Sequence, residues 1–329
     1  MSVFVQQQHT VCDFSGSDSW VILSPIEQSI KHKIESVGTP LKDWDIQINY
    51  GIKTGYNDAF IISTAKRNEI LSHTADYVAG QAEKDYSSTG EYARTAALIR
   101  PILRGRDIKR YGYNWAELWL IATFPARHYD IEQYPAVKNY LLSEFGMERL
   151  EQTGKVHIVN GKQIKARKKT NNKWFETQDS ISYFDDFNQP KIVYIEIMTD
   201  NIEEGYPFPC FSYDENKSVV LNTGYIMCSK TIDVRNILGI LNSTFGRFFV
   251  KLYVSQLQSR QFRMLAQYVN NFRIPKSCTQ DNAIAQTTGQ IISLSQAGKD
   301  TKELETKLNQ QVYHLYGLSD EEIKYIDGL

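Results

Sequence analysis

Apolar residues spaced three or four positions apart predict several amphipathic helices. The clearest begins at residues 24–27, where Ser-Pro-Ile-Glu has the capping-box pattern with proline at the first helical position. Ile30 and Ile34 then fall on one face, and Gly38 is expected to end the helix. Similar patterns predict further helices at residues 137–145, 233–245 (with Phe245 on the apolar stripe of Ile237 and Leu241), 281–297, 300–316 and 319–326.

Strands are predicted where apolar and polar residues alternate, or where a short apolar run lies between turns. Such patterns occur at residues 3–5, 46–50, 59–62, 98–103, 118–124, 192–197 and 219–227. Residues 152–173 are polar and basic and contain Gly154 and Gly161, so we expect an exposed hairpin or excursion there. The predicted fold class is therefore α/β (mixed α+β) with a helical C-terminal extension.

Composition narrows the class of protein. Hydrophobic residues make up 42% of the 329 residues and charged residues 23%, which is typical of a folded globular chain. No apolar run reaches the roughly 18 residues of a membrane span, and no signal peptide is recognisable at the N-terminus. The four cysteines are far apart in sequence, which argues against a zinc knuckle or a disulfide framework. We therefore expect a cytoplasmic protein with no membrane partner.

Charge is sorted into long blocks although the net charge is only −1. Residues 155–175 and 234–280 each contain seven basic residues and no acidic one, whereas residues 176–216 contain ten acidic residues and only Lys191. Residues 100–110 carry five basic residues against Asp107 alone. This distribution favours a basic face that binds a polyanion, unless distant blocks interleave in space and cancel.

Several catalytic classes lack their motifs in this sequence. No two prolines are adjacent, so the Asn-Pro-Pro-Tyr motif of amino-methyltransferases is absent, and no glycine pair has the G-x-G spacing. The six histidines form no close metal-binding pair. Three Asp/Glu-x-Lys tripeptides, at residues 107–109, 305–307 and 322–324, leave a metal-dependent nuclease as an alternative.

Six short motifs resemble, in the same order, those of one known family. They are Tyr50-Gly-Ile-Lys-Thr-Gly-Tyr-Asn-Asp-Ala-Phe60, Ile102-Leu-Arg-Gly-Arg-Asp-Ile108, Tyr134-Pro-Ala-Val-Lys138, the passage from Trp174 to Lys191-Ile192, Leu241-Asn-Ser243, and Val312-Tyr-His-Leu-Tyr-Gly-Leu318. Together they make the chain similar to the TaqI-like C-terminal specificity domain. That module is the target recognition domain of type IIG restriction-modification enzymes and of related adenine-specific DNA methyltransferases.

The resemblance implies a non-catalytic module that recognises a sequence in double-stranded DNA. It implies no cofactor in this chain, whereas the parent enzyme would use S-adenosylmethionine and possibly Mg²⁺. Because the methyltransferase motif is missing, the chain resembles either a C-terminal fragment or a stand-alone specificity subunit whose helices 281–316 dock a separate methyltransferase. The expected domains are a connecting segment and helix at 1–49, the target recognition domain at 50–276 and the helical extension at 277–329.

Cationic and amide side chains in four segments are candidates for DNA contact, because cations bind phosphates and forked polar groups bind base edges. We call residues 51–57 the glycine loop, residues 104–110 the arginine segment and residues 152–173 the basic excursion. The candidates are Lys53, Thr54 and Asn57 in the glycine loop; Arg104, Arg106, Lys109 and Arg110 in the arginine segment; Lys165, Arg167, Lys168, Lys169, Asn171, Asn172 and Lys173 in the basic excursion; and Arg260, Gln261 and Arg263 after an aromatic helix.

Each segment also has a purely structural interpretation. The glycine loop could be a turn in which Gly55 and Asn57 are chosen for positive φ. Arg104 and its neighbours could form a surface ion pair with Asp107, the basic excursion could be a solvated tip, and residues 260–263 could cap the edge of the core. Arginine offers a bidentate fork that lysine lacks, so Arg104, Arg106 and Arg167 are the first candidates for reading bases.

Overall fold

The structure is a computed structural model that describes residues 23–205, 207–280 and 282–329; the predicted strand at residues 3–5 lies outside them. The chain forms two compact units. The central unit comprises Gln47–Glu196 and Phe211–Ser229, and the terminal unit comprises Met1–Ile46, Ile197–Cys210 and Lys230–Leu329. The predicted domains 1–49, 50–276 and 277–329 are consecutive in sequence, whereas each compact unit is assembled from separated segments. The predicted domains divide the chain by function, and their boundaries stay a prediction.

Helices and strands are numbered in chain order. The helices are α1 (Pro25–Val37), α2 (Asn57–Phe60), α3 (Thr64–Ser72), α4 (Glu91–Leu98), α5 (Pro135–Phe145), α6 (Met147–Leu150), α7 (Val234–Asn242), α8 (Thr244–Tyr253), α9 (Ala266–Val269), α10 (Ala283–Gln296), α11 (Lys302–Leu315) and α12 (Asp320–Asp327). The strands are β1 (Thr39–Pro40), β2 (Gln47–Tyr50), β3 (Ile61–Ser63), β4 (Ile99–Leu103), β5 (Leu118–Ile121), β6 (Val156–Val159), β7 (Lys162–Lys165), β8 (Lys191–Ile195), β9 (Ile197–Thr199), β10 (Phe211–Asp214), β11 (Val219–Val220), β12 (Gly224–Cys228), β13 (Gln261–Arg263) and β14 (Arg273–Ile274). The predicted mixed α/β fold with C-terminal helices is confirmed.

An antiparallel sheet in the order β10-β8-β12-β2 forms one layer of the central unit. Its register places four aromatic residues side by side, because Tyr225 lies opposite both Tyr50 and Tyr194, and Tyr194 lies opposite Phe211. The Tyr194 and Tyr225 rings stack with centroids 5.3 Å apart. Because a slip of one residue would move every side chain to the other face, this row of rings fixes the register.

A second sheet of the central unit has the order β11-β4-β5-β3, with β11 parallel to β4 and the other pairs antiparallel. The chain passes from this sheet to the first one at residues 221–223, between β11 and β12. The prediction of a single strand over 219–227 is therefore wrong. Asn222 and Gly224 favour a turn, and this turn separates β11 from β12.

A buried ion pair lies between β8 and β10. Lys191 and Asp214 are cross-strand partners with fully buried side chains, and Lys191 Nζ lies 2.5 Å from Asp214 Oδ2. Lys191 Nζ also donates to the Phe187 carbonyl at 2.8 Å. The Asp214 carboxylate accepts hydrogen bonds from Tyr113 Oη at 2.7 Å and from the Ser218 backbone N–H at 3.0 Å. Burial lowers the pKa of Lys191 even though Asp214 opposes the shift.

Helices build the core of the terminal unit. Gly239 on α7 lets α10 approach closely, since a Cβ at this position would lie 2.3 Å from Thr288 Oγ1. Buried Asn236 accepts a 3.0 Å hydrogen bond from the Ala285 N–H and so caps the first turn of α10.

The prediction of one helix over 233–245 is wrong, because Ser243 ends α7 and caps the separate helix α8. The other C-terminal helices are confirmed, and no helix among the described residues is long and apolar enough to cross a membrane.

A carboxylate joins the first helix of the terminal unit to the last. Glu322, at the N-terminus of α12, accepts hydrogen bonds from Lys33 Nζ at 2.6 Å and from Ser29 Oγ at 2.7 Å, both on α1. It also accepts the Ser319 N–H at 2.7 Å in a capping box. Burial would raise the pKa of Glu322, but these hydrogen bonds outweigh it and lower the pKa to about 2.

Replacing Asp214 by alanine should strip Lys191 of its counter-charge. We expect the free energy of unfolding to fall by about 3–5 kcal/mol, because an unpaired ammonium would remain buried. Urea denaturation of the wild type and of Asp214→Ala measures the loss. The double variant Lys191→Met/Asp214→Ala is the control and should lose less, since no buried charge is left alone. A loss below about 1 kcal/mol in the single variant would contradict this role.

The Glu322 carboxylate should make stability dependent on pH in acid. Its pKa lies below the usual 4.5, so its contribution is complete above pH 4.5 and is lost as the pH falls toward 2. At pH 7, Glu322→Gln should lower the free energy of unfolding by roughly 1–3 kcal/mol. The difference between variant and wild type should shrink between pH 4.5 and 2. A difference that stays constant over that range would show that the charge is not the cause.

Candidate nucleic-acid interface

The glycine loop lies where strands of both sheets of the central unit end. The Gly51 N–H donates to the Gly224 carbonyl at 2.8 Å, and the Leu221 N–H donates to the Leu103 carbonyl at 2.9 Å. A Cβ at Gly51 would lie 2.2 Å from the Leu221 carbonyl oxygen, so only glycine fits there. The turn at residues 221–224 therefore holds the glycine loop next to the start of the arginine segment.

Side chains of the glycine loop divide into buried and exposed ones. Thr54 is 1% exposed, and its hydroxyl donates to Asn57 Oδ1 at 2.6 Å and accepts the Tyr56 N–H at 3.1 Å. Lys53 and Asn57 are exposed. The predicted positive φ is found at Gly55 but not at Asn57, which is the first residue of α2. Thr54 shapes the turn and offers no donor to a ligand, while Lys53 and Asn57 are exposed.

The glycine loop is bound to the segment that follows the basic excursion. The Lys53 N–H donates to Asp179 Oδ2 at 2.9 Å, and the Gln178 N–H donates to the Thr54 carbonyl at 3.1 Å. Gly55 has a φ of +76°, and a Cβ there would approach Arg167 Nη2 to 3.2 Å. Two candidate segments more than 100 residues apart in sequence are thus neighbours in the central unit.

Arg167 stabilises the contact between the glycine loop and the basic excursion from the protein interior. It is 6% exposed, its Nη2 donates to the Thr54 carbonyl at 2.8 Å, and its Nη1 donates to the Trp174 carbonyl at 3.2 Å. Its guanidinium lies over the Phe60 ring, 4.9 Å from the centroid. Burial lowers its pKa to about 10, so the group is still protonated at neutral pH. This placement corrects the interpretation of Arg167 as a base reader, because its fork is consumed by carbonyl groups in the interior.

Arg104 is engaged within the arginine segment. Its Nη2 donates to Asp107 Oδ1 at 2.7 Å and its Nε donates to Asp107 Oδ2 at 3.0 Å, which is a bidentate pair. The hydrogen bond to Asp107 raises the pKa of Arg104. Asp107 is 4% exposed, and burial would raise its pKa, but the contacts with Arg104 outweigh burial and lower it. The ion-pair interpretation is therefore the observed one, and the Arg104 fork is occupied.

The rest of the arginine segment faces outward. Arg106 and Lys109 are exposed, and Lys109 Nζ donates to the Arg106 carbonyl at 3.2 Å. Arg110 is half-buried with its guanidinium 4.9 Å from the centroid of the Tyr111 ring. Arg106 is thus the arginine of this segment whose fork is accessible to a ligand.

Buried amides hold the base of the basic excursion. Gln152 is 4% exposed, and its Nε2 donates to the carbonyls of Lys173 and Glu176, both at 3.0 Å. Asn172 Nδ2 donates to the carbonyls of Thr177 and Gln178 at 3.1 and 2.9 Å. Asn172 is therefore a structural residue of the loop rather than an accessible amide, whereas Asn171 is exposed.

The lysines of the basic excursion are exposed, and Lys173 Nζ lies 5.5 Å from the centroid of the Phe175 ring. These lysines are Lys155, Lys162, Lys165, Lys168, Lys169 and Lys173. Among the ion pairs between described residues, none joins one of these lysines to a carboxylate. The expected hairpin is present as β6 and β7, which pair antiparallel. Clustered lysines without counter-ions are suited to a polyanion.

The remaining candidates belong to the terminal unit. Residues 258–261 form a turn in which Ser259 and Arg260 have φ values of +58° and +57°. Arg260 and Arg263 are exposed and Gln261 is half-exposed on β13, which pairs with β9. Their side chains can reach a ligand of this unit.

The three nuclease-like tripeptides are occupied by other contacts. Asp107 pairs with Arg104, Glu305 accepts the Thr301 hydroxyl at 2.6 Å, and Glu322 pairs with Lys33. Throughout residues 23–205, 207–280 and 282–329, no three His, Cys, Asp or Glu side chains are grouped to hold a metal ion. These residues are accounted for by structural contacts.

Sequence reasoning missed the turn at residues 221–224. The exposed Thr223 accepts the Gly105 N–H through Oγ1 at 3.2 Å, so it lies beside the arginine segment. The signal was the Asn-Thr-Gly sequence at 222–224, which is typical of a turn and was absorbed into an apolar run.

Comparisons with known proteins agree with the motif pattern. The chain is 21% identical over 319 residues to the type II methyltransferase M.PaeR7I of Pseudomonas aeruginosa, covering 95% of this chain and 46% of that protein. The chain therefore spans about half the length of this curated relative. Two solved structures are also similar to it. They are the type IIL restriction-modification enzyme MmeI in complex with DNA (TM-score 0.48, 12% identity, 88% of this chain and 37% of that chain) and the type IIG restriction endonuclease BpuSI (TM-score 0.45, 11% identity, 89% and 34%).

The profile of one family covers more than half of the sequence. It is the TaqI-like C-terminal specificity domain, and it matches residues 100–274. This range includes the arginine segment, the basic excursion and residues 260–263, and it confirms the family predicted from the motifs. The chain belongs to the family of TaqI-like C-terminal specificity domains.

Proposed function

We propose that this chain recognises a sequence in double-stranded DNA for a restriction-modification methyltransferase and catalyses no reaction itself. The observation that carries the proposal is the row of exposed lysines in the basic excursion, which has no carboxylate partner among the described residues. Membership of a specificity-domain family supports it. DNA in a cell lies in the cytoplasm or an equivalent compartment, so we place the protein there.

Lysines and arginines have separate tasks in this proposal. Exposed Lys165, Lys168 and Lys169 neutralise phosphates and release condensed counter-ions, which gives affinity for any duplex. Accessible forks and amides read bases, and the side chains placed for this are Arg106, Asn57 and Asn171. Lys53, Lys109, Arg110 and Lys173 complete the proposed contacts of the central unit, and Arg260, Gln261 and Arg263 are the proposed contacts of the terminal unit.

Buried residues have a positioning role. Arg167 and Gln152 fix the glycine loop and the base of the basic excursion through backbone carbonyls, and Arg104 fixes the arginine segment through Asp107. Rigid support of this kind is what a reader needs, because a base contact depends on placing a polar group within about 0.5 Å.

The methyl transfer itself belongs, we propose, to a methyltransferase domain or subunit that accompanies this chain. The relative from P. aeruginosa is a methyltransferase of which the chain covers 46%. S-adenosylmethionine, and Mg²⁺ if the parent enzyme also cleaves DNA, would be bound by that other part. Extrusion of the target adenine from the duplex would likewise be its task.

Replacing Lys168 and Lys169 together by alanine tests the proposal. If both side chains touch phosphates, binding to any duplex weakens, and the slope of log affinity against log salt becomes shallower by about two units. Affinity for short duplexes of several sequences at several salt concentrations is the measurement. Lys299→Ala/Lys302→Ala is the matched control, because Lys299 precedes α11 and Lys302 begins it, both are exposed and both lie outside the proposed contacts, so this variant should bind as the wild type does. Unchanged affinity and slope in the first variant would refute the assignment.

Arg167 should behave as a structural residue. Arg167→Ala leaves the carbonyls of Thr54 and Trp174 without their buried donor, so we expect the free energy of unfolding to fall by about 3 kcal/mol. Arg106→Ala is the exposed counterpart and should leave stability within about 0.5 kcal/mol of wild type. Denaturation curves of both variants decide the matter. Equal stability of Arg167→Ala and wild type would exclude the bracing role.

A further inference from the structure

The β6–β7 hairpin presents one face wholly to solvent. Asn160 and Gly161 close the hairpin with φ values of +49° and +73°, which is the two-residue turn that matches the twist of the strands. Val156 lies opposite Lys165 and Ile158 lies opposite Gln163. Residues directly opposite each other, and every second residue along a strand, point to the same side. These four side chains therefore form a single face, which we call the open face.

The open face carries unusually exposed apolar side chains. Ile158 is 76% exposed, the highest value among the large exposed hydrophobic residues of the described chain, and Val156 is 57% exposed. Gln163 and Lys165 beside them are also exposed. On the opposite side of the hairpin, His157 and Ile164 are half-buried, and His157 Nε2 lies 2.5 Å from Glu151 Oε1. The hairpin is thus fixed by one side and leaves the other unoccupied.

We propose that the open face enters the major groove of the target DNA and reads an A·T pair there. This inference rests on the proposed function. Gln163 offers an amide that can accept from N6 and donate to N7 of adenine. Ile158 and Val156 offer apolar surface for the C5-methyl group of thymine, which is the apolar feature of that groove. An amide and β-branched residues side by side match the two halves of one base pair.

Dimensions of the hairpin suit the groove. A major groove about 12 Å wide and 8.5 Å deep admits a two-stranded ribbon. Strands of four residues extend about 13 Å, so the tip can reach the base edges while the base of the hairpin stays at the level of the phosphates. Lys155 and Lys165 at that base are then placed for the backbone.

The positive charge of the hairpin favours DNA over a protein as the molecule that binds the open face. Residues 152–175 contain no acidic residue, Lys165 lies on the open face, and Lys155 and Lys162 lie next to it along the two strands. An apolar protein contact of this size would bring those ammonium groups against a surface that must be strongly acidic. Duplex DNA supplies the negative charge and the apolar methyl groups together.

The test begins with selection of bound duplexes from a pool of random sequence, using the complete 329-residue chain. The wild type is expected to recover a consensus that contains an A·T pair. Gln163→Ala should lose the preference at that position alone and bind the wild-type consensus roughly 5- to 150-fold more weakly. Affinity for scrambled duplex should not change, because Gln163 carries no charge. Ile202→Ala, another exposed apolar residue at 47% exposure but in the terminal unit, is the control and should keep the consensus and the affinity.

Base analogues then test which group of the base pair each side chain of the open face contacts. Replacing the thymine of that pair by uracil removes only the methyl group and should weaken wild-type binding roughly 4-fold. The same replacement should not weaken Ile158→Ala, which has already lost the contact. Replacing the adenine by 7-deazaadenine should likewise affect the wild type and spare Gln163→Ala. All these variants are on the surface, so thermal unfolding at the wild-type temperature verifies their fold.

Each result separates this inference from the proposed function. If the wild type recovers no consensus, DNA recognition by this chain fails and the role of the open face fails with it. If the wild type recovers a consensus that Gln163→Ala and Ile158→Ala leave unchanged in sequence and affinity, the open face does not read DNA, although the chain does. If those variants bind DNA normally but lose association with a co-expressed methyltransferase polypeptide, the open face is a protein contact and the inference is overturned.

Discussion

The ion pair between Lys191 and Asp214 is the constraint on which the central unit depends. Two opposite charges in the interior need further hydrogen bonds besides their mutual attraction, and here the Phe187 carbonyl, the Tyr113 hydroxyl and the Ser218 N–H supply them. The carboxylate thereby orients the chain just before β11, where it enters the second sheet. Both sheets are then in place for the turn at 221–224, which holds the glycine loop. The buried ion pair therefore determines where the glycine loop and the arginine segment, with their candidate DNA contacts, lie on the surface.

Two arginines of the candidate interface and the lysines of the basic excursion are used differently. Arg104 and Arg167 donate several hydrogen bonds within the protein, which their planar forks make possible. The lysines of the basic excursion stay in water. A strongly hydrated ammonium on a long stem has little to gain from burial, whereas a guanidinium loses less when it is desolvated against carbonyls. The basic residues of the candidate interface therefore form two groups: buried or paired arginines that stabilise the structure, and exposed lysines that are accessible to a ligand.

Most of the fold could be predicted because its signals are local. The capping box at Ser24 and the glycine after α1 are read from a few adjacent residues, and the structure confirms them. What failed was the division of the apolar runs 59–62, 219–227 and 233–245, where buried residues continue across a break in secondary structure; residues 59 and 60 end helix α2 and only residues 61–62 belong to strand β3. In the site, the pairing of Arg104 with Asp107 was visible three residues away. The contact of Arg167 with Thr54 spans 113 residues, and no sequence pattern encodes it.

Under the proposed role of the open face, the two-residue turn of the β6–β7 hairpin and the Gln152 side chain at its base separate the positions that read DNA from those that maintain the fold. Between these fixed points, the side chains of the open face are exposed, so their replacement should change the free energy of unfolding by no more than about 0.5 kcal/mol. A lineage can therefore vary these positions freely while the sheets below remain the same. Changes at Gly51 or Arg167, by contrast, would disturb the scaffold itself. If the open face reads DNA as proposed, new recognition sequences can arise by substitution at the surface without a destabilised intermediate.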